Sequence, residues 1–134
     1  MTSNTVTALV GFIAWALALL VLMEAIRTHL VLSRRVVANA FTPDNAGLSS
    51  FMQRLARAHL NCLEGLPIFG GLMAVAIMTS RTGVTDSLAY WFLAARIVQS
   101  LVHISSGSET AAMLRFAAFA VQLGIGVYWV IGLI

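Results

Sequence analysis

Four long apolar stretches, separated by short polar segments, occupy almost all of this 134-residue chain. A helix needs roughly 20 predominantly apolar residues to cross a bilayer, so there is room for four spans with short connections. Backbone N–H and C=O groups have no water to bond inside hydrocarbon, which makes each such stretch a helix. Composition points the same way: 60% of the residues are hydrophobic and 10% charged, against about a quarter charged in an ordinary soluble domain. Disorder and a standard soluble fold are set aside, and the length allows a single domain over residues 1–134. The expected architecture is an all-α, four-transmembrane-helix up-down bundle.

Local signals place the helices near 5–36, 49–79, 85–104 and 109–133. The first apolar run continues past Glu24 and Arg27 toward Arg34, and its Met-Thr-Ser-Asn start lacks the basic n-region of a cleaved signal, so it is expected as a retained span. Thr42-Pro43-Asp44-Asn45-Ala46-Gly47 is a cluster of turn formers and marks the first loop. Ser49 or Ser50 opens the second helix, Thr85 or Asp86 caps the third, and Glu109 sits in the first turn of the fourth, where a carboxylate favours the helix dipole.

All eight basic residues are arginine, and Arg27, Arg34, Arg35, Arg54 and Arg57 border the first loop. By the positive-inside rule the first and third loops are expected to be cytoplasmic, with both termini on the opposite face. Such clustering suits membrane topology or an anionic ligand and argues against nucleic acid as a partner. Tyr90, Trp91, Tyr128 and Trp129 are expected as an aromatic belt toward the far interface, with Arg81 and Asp86 as interfacial anchors. Cys62 is the only cysteine, so neither an internal disulfide nor a cysteine metal site is expected, and the residue is taken as packing.

The polar residues inside the spans carry the functional information. At about 100° per residue, Arg54, Arg57, Asn61 and Glu64 fall within a sector of roughly 80° on the second helix. An ionised group at mid-helix costs on the order of 2.5–3.5 kcal/mol on insertion scales, so Glu64 is expected to face another helix or a wet pocket. Pro67 lacks an N–H for the Leu63 carbonyl and should disturb the helix just below this stripe. Arg96, Gln99, Ser100 and His103 share a face of the third helix, and Glu24, Arg27, Arg34 and Arg35 lie toward the matching end of the first. These stripes could converge on one cavity rich in guanidinium, suited to a polyanionic, peptide-like molecule. The same groups could equally serve as an intramembrane ion pair between Arg57 and Glu64 that holds helices together.

The pattern Phe51-x-x-Arg54-x-x-Arg57-Ala58-x-x-Asn61-Cys62-x-Glu64-x-x-Pro67-x-Phe69 resembles the second-helix signature of the MAPEG family, the membrane-associated proteins of eicosanoid and glutathione metabolism. It is similar in particular to the leukotriene-forming synthase and the microsomal glutathione transferases. The resemblance implies a homotrimer of four-helix subunits that binds glutathione in clefts between neighbours. Carried onto this chain, Arg57, Asn61 and Glu64 match glutathione-binding positions, with Glu64 expected at the ligand's amino group. Arg34 or Arg35 would hold a carboxylate, Arg96 matches the arginine that opens the third-helix motif, and His59 occupies a position that is polar in several members. Gln99 and His103 stand where family enzymes carry aromatic or His/Tyr residues at the glutathione site, and His103 is retained as a ligand candidate. Arg115 is the candidate for the thiol-activating arginine of the fourth helix, although it lies later than a gap-free alignment would place it.

What the resemblance implies is a glutathione-dependent transferase or peroxidase acting on a lipophilic electrophile that arrives from the membrane lipid. Arg115, with Arg34, would stabilise the glutathione thiolate, which is the nucleophile. The alternative is a non-catalytic MAPEG-like lipid-binding protein or an accessory subunit of a larger membrane complex.

Overall fold

The computed structural model describes residues 2–134; Met1, with which the expected domain begins, lies outside the described residues. The described chain is all helical and contains four helices long and apolar enough to cross a membrane: α1 (Asn4–Leu32), α2 (Ser50–Met78), α3 (Asp86–Ser105) and α4 (Glu109–Leu133). Serine starts three of them. The hydroxyls of Ser3, Ser49 and Ser108 accept from the backbone N–H groups of Val6, Met52 and Ala111, satisfying donors that a helix start leaves free.

At the fourth start, that of α3, neither Thr85 nor Asp86 makes the expected side-chain cap, because Asp86 is turned toward α1 instead. Asp86, in the first turn of α3, accepts from the Thr5 backbone N–H at 2.9 Å and from the Thr5 hydroxyl at 2.6 Å, so one carboxylate serves the positive ends of α1 and α3 together. Arg81 does the converse. Its guanidinium donates to the Gly132 and Leu133 carbonyls at 2.7 Å each, where the last turn of α4 has no internal donors. The two expected anchors therefore tie helix ends to one another.

Two helices end in paired Schellman bonds. After α1, Arg34 N–H donates to Val31 O and Arg35 N–H to Leu30 O; after α2, Ser80 pairs with Ile77 and Arg81 with Ala76. Each motif needs a left-handed residue, and Arg34 (φ 60°) and Ser80 (φ 58°) take that role without being glycine. Helix α1 consequently stops at Leu32 rather than running on to residue 36, which turns Arg34 and Arg35 into exposed loop residues.

The first loop is held by a residue whose importance its turn-former surroundings conceal. Asn45 is fully buried, adopts a left-handed φ of 58°, and donates from Nδ2 to the Met52 carbonyl at 2.7 Å. Its Oδ1 accepts from Nε and Nη2 of Arg27, which also bonds the Thr42 carbonyl, pairs with Glu24 at 3.0 Å and stacks over Phe41. One amide thus joins α1, the loop and the start of α2. Next to it, the Thr42 hydroxyl and the Ala46 amide bond the exposed Asp44 carboxylate and hold its pKa below the usual value. That contact contributes above the ordinary carboxylate range and is lost as the pH falls through the depressed value.

Helix α3 is the centre of the bundle, packing on all three others and most extensively on α4. Phe92 meets one aromatic ring from each neighbour: Phe12 of α1 at 5.4 Å, Phe69 of α2 at 4.8 Å and Trp129 of α4 at 5.7 Å between centroids. Trp129 is therefore fully buried and leaves the expected aromatic belt, whereas Tyr90, Trp91 and Tyr128 remain exposed. Outward positions such as Val10, Leu17, Val98, Phe116 and Ile131 are apolar, while Arg96, Gln99, Ser100, His103 and Gln122 are buried. A soluble protein does not expose so much contiguous apolar surface; a bilayer requires it.

Two stability changes follow. Phe92→Ala should cost about 3–5 kcal/mol, because it empties the meeting point of all four helices. Ser80→Gly should stabilise by about 1 kcal/mol, because glycine removes the left-handed penalty at an exposed position. Both can be measured by unfolding in mixed micelles, and an unchanged Phe92→Ala variant would contradict the packing described.

Candidate functional site

The α2 stripe lies on the outside of the subunit. Arg57 and Glu64 are exposed, and Asn61 between them is half-buried. Above the stripe, Arg54 turns inward and donates from Nε to the Ile104 carbonyl at 2.9 Å, closing the negative end of α3. Just below it, Pro67 does not break the helix. The missing donor is absorbed by a π turn over Leu66–Gly70, which widens the helix by one residue and directs Phe69 into the aromatic core.

Two hollows flank the stripe. One, of about 480 Å³, runs along the outside of the bundle between α2 and α4. Asn61 and Glu64 form its polar end, and its walls are Ile68, Phe69, Leu72, Phe119, Leu123 and Val127. Glycines shape it, since a Cβ at Gly126 would stand 2.8 Å from the Phe69 ring. The other hollow, of about 530 Å³, lies between α1, the first loop and α2 and includes Glu24, Arg27, Asp44, Arg57 and His59 in its lining.

The α3 stripe is placed differently. Arg96, Gln99, Ser100 and His103 are all buried within the bundle and line neither hollow, so the expected single cavity joining three stripes does not form within one subunit. The physical reason is the central position of α3, which turns its polar face inward against α2 and α4. Cys62 packs there with its sulfur 3.4 Å from the Ser100 hydroxyl. Gln99 accepts from Gln122 of α4 at 2.7 Å. His103 is buried in the last turn of α3. Arg115 is half-buried, and its Nε is enclosed without a hydrogen-bond partner.

Arg96 is the one fully buried guanidinium among the described residues. It stacks over Phe12 at 5.6 Å and donates from Nη1 to Asn61 Oδ1 at 3.4 Å, while Nε and Nη2 are buried without a partner. Gly65 makes the space, for a Cβ there would stand 2.9 Å from Arg96 Nη2. The structure thus brings Asn61, Glu64 and Arg96 to one place and Arg57 and His59 to another beside it. Arg34 and Arg35 are on the exposed first loop. Gln122 and Gly65 drew no notice in the sequence, although Gln122 lies seven residues from both Arg115 and Trp129 and so on their face of α4. Among the described residues no group of His, Cys, Asp and Glu could hold a metal ion.

An apolar exterior over a polar interior, on four spanning helices, defines an integral multi-pass membrane protein. The family model of the MAPEG family matches residues 5–134, nearly the whole chain, and the protein belongs to that family. At family level it is a membrane protein of glutathione-related or eicosanoid metabolism. Neither a curated protein nor a solved structure matches the chain.

The buried amide pair makes a separate prediction. Gln122→Leu should lower stability by about 1–2 kcal/mol because it orphans Gln99, and the Gln99→Leu/Gln122→Leu double variant should recover most of that loss. Simple additivity in a double-mutant cycle would show that the two amides do not depend on each other.

Proposed function

We propose that this protein is a glutathione-dependent membrane transferase or peroxidase acting on lipophilic electrophiles, working as a homotrimer. The observation that carries the reading is the α2 stripe: an amide at Asn61 and a carboxylate at Glu64 form the polar end of an otherwise apolar hollow on the outside of the bundle, and the exposed cation Arg57, one turn away on the same stripe, lines the hollow beside it. These groups fit glutathione. Arg57 offers a forked donor to a carboxylate, Asn61 a partner for an amide or carboxylate, and Glu64 an acceptor for the ammonium group. When bound, glutathione would supply a thiol that reacts, as thiolate, with an electrophilic or peroxidic lipophile.

In this reading the chain's residues bind, orient and tune. Arg57, Asn61, Glu64 and Arg96 set the peptide's position, with His59 and His103 as further polar groups. Arg34 and Arg35 reach a carboxylate from the first loop, with Arg34 also beside the thiolate. A guanidinium from Arg115 lowers the cost of the thiolate charge, and no protein side chain forms a covalent bond. The apolar walls admit a lipophile laterally from the bilayer and exclude water around the reacting sulfur. Trimer formation would cover the outward stripe with a neighbour and supply the enclosure that one subunit lacks. The first and third loops are proposed to face the cytoplasm, where the arginines hold them.

A second reading, a non-catalytic lipid-binding protein or an accessory subunit of a larger membrane complex, draws on the burial of Gln99 and His103 away from both hollows. Calorimetric titration of glutathione into the micellar protein separates the two. Binding is expected, weakened about tenfold or more by Arg57→Ala or Glu64→Gln, as the loss of a charge-assisted hydrogen bond of about 1.5–3 kcal/mol implies. Conjugation of an aryl halide should be abolished in Arg115→Ala with binding retained. Absence of any glutathione binding would remove the enzyme reading and leave the lipid-binding one.

A further inference from the structure

Between the end of α1 and the start of α2, residues Val37–Asp44 run over the outside of the subunit, with only Phe41 half-buried. Both feet of this segment are firm. At one, the Arg35 N–H donates to the Leu30 carbonyl in the bonds that end α1; at the other, the fully buried Asn45 donates to the Met52 carbonyl. Between the feet a single side chain does the holding. Among the described residues, the only hydrogen bond from Val37–Asp44 to a helix is the one that Arg27 Nη2 donates to the Thr42 carbonyl at 3.0 Å, and the same guanidinium stacks over Phe41 at 5.3 Å. A segment with so little buried surface and one tie opens at a lower free energy than the helices it joins.

The space beneath gives that tie a role. In the hollow between α1 and α2, Leu20 and Leu63 lie farthest from the first loop, Arg27 and Ala56 lie nearest it, and Phe41–Asp44 cross that end. The outer flank is apolar, with Leu60 and Leu63 exposed, so the segment closes the polar approach. Glu24, Arg27 and Phe41 also line a third hollow, of about 420 Å³, which continues to Leu32 and Ala38. These three residues are therefore the wall between the two spaces.

We propose that Val37–Asp44 is a strap that swings on its two feet and admits polar solutes to the hollow between α1 and α2, with Arg27 as its pin. Glu24 and Asn45 hold the Arg27 guanidinium in place, so the parts that move are Phe41 and Thr42. Once they leave the guanidinium, the wall is breached and the two hollows form one passage. What resists opening is one hydrogen bond from a charged donor and one cation–π contact, both exposed to competition from water. This inference goes beyond the proposed function, because it concerns access and holds for any polar molecule that fills the hollow.

The test needs no ligand. Ala56 is buried and lines the strapped hollow, whereas Leu123 lines the hollow between α2 and α4. In full-length protein carrying Cys62→Ser, the labelling rate of Ala56→Cys by a water-soluble methanethiosulfonate is measured in micelles, with Leu123→Cys as the reference. Arg27→Gln should speed the labelling of Ala56→Cys about tenfold or more, the change in opening equilibrium that loss of a hydrogen bond from a charged donor produces. Phe41→Ala should speed it in the same direction and keeps the test open if Arg27→Gln does not fold. Phe41→Tyr, which keeps the ring, should leave the rate unchanged, and Leu123→Cys should label at the same rate throughout. An unchanged rate at Ala56→Cys in both Arg27→Gln and Phe41→Ala would overturn the strap. So would an equal acceleration at Leu123→Cys, which would mean a loosened bundle. Either result leaves the glutathione reading standing, since that reading is tested by titration.

Discussion

The column formed by Phe92 and Arg96, one turn apart on α3, is the contact on which the rest of the molecule depends. Phe92 touches a ring from each of the other three helices, and Arg96 stacks on one of those rings, Phe12, while bonding Asn61 of α2. In a bilayer the hydrophobic effect does not press helices together, because lipid is as apolar as leucine; packing and internal polar contacts must do so. A helix with both rings and polar groups on one face therefore becomes the centre. Burial of that face follows, and with it the outward placement of the α2 stripe.

Function inherits this division. The α3 stripe, with Gln99, Ser100 and His103, serves cohesion and reaches the surface through one intermediary, Asn61. The α2 stripe is free to meet a ligand or a neighbouring copy. Pro67 and the π turn lie at the boundary between the two roles, since the added residue turns Phe69 to the core while Ile68 and Leu72 continue the wall of the hollow. Local irregularity here shapes the hollow beside the candidate site.

Some of this was legible in the chain. The spans, the serine start of the second helix and the proximity of Arg57, Asn61 and Glu64 follow from hydropathy, capping signals and helical period, which act over a few residues. Arg81 and Asp86 looked like surface anchors because their partners, Leu133 and Thr5, lie far along the sequence. Trp129 looked interfacial because hydropathy ranks tryptophan by type and takes no account of Phe92 opposite. Asn45 sat among turn formers that it resembles, and only its contacts with Arg27 and Met52 set it apart. The end of α1 moved because Schellman bonds, which depend on a left-handed residue, tolerate Arg34 as well as glycine.

By itself the sequence determined that four helices cross a membrane and that scarce charges gather at one end of them, because insertion free energy is a sum over local residues. It also marked the second helix as the bearer of the polar stripe. Which stripe faces inward, and that Arg96 is enclosed between the Phe12 ring and Asn61, its one hydrogen-bond partner among the described residues, was decided by tertiary structure alone. Those outcomes depend on which helix lies at the centre, and that is a property of side chains meeting across the whole chain.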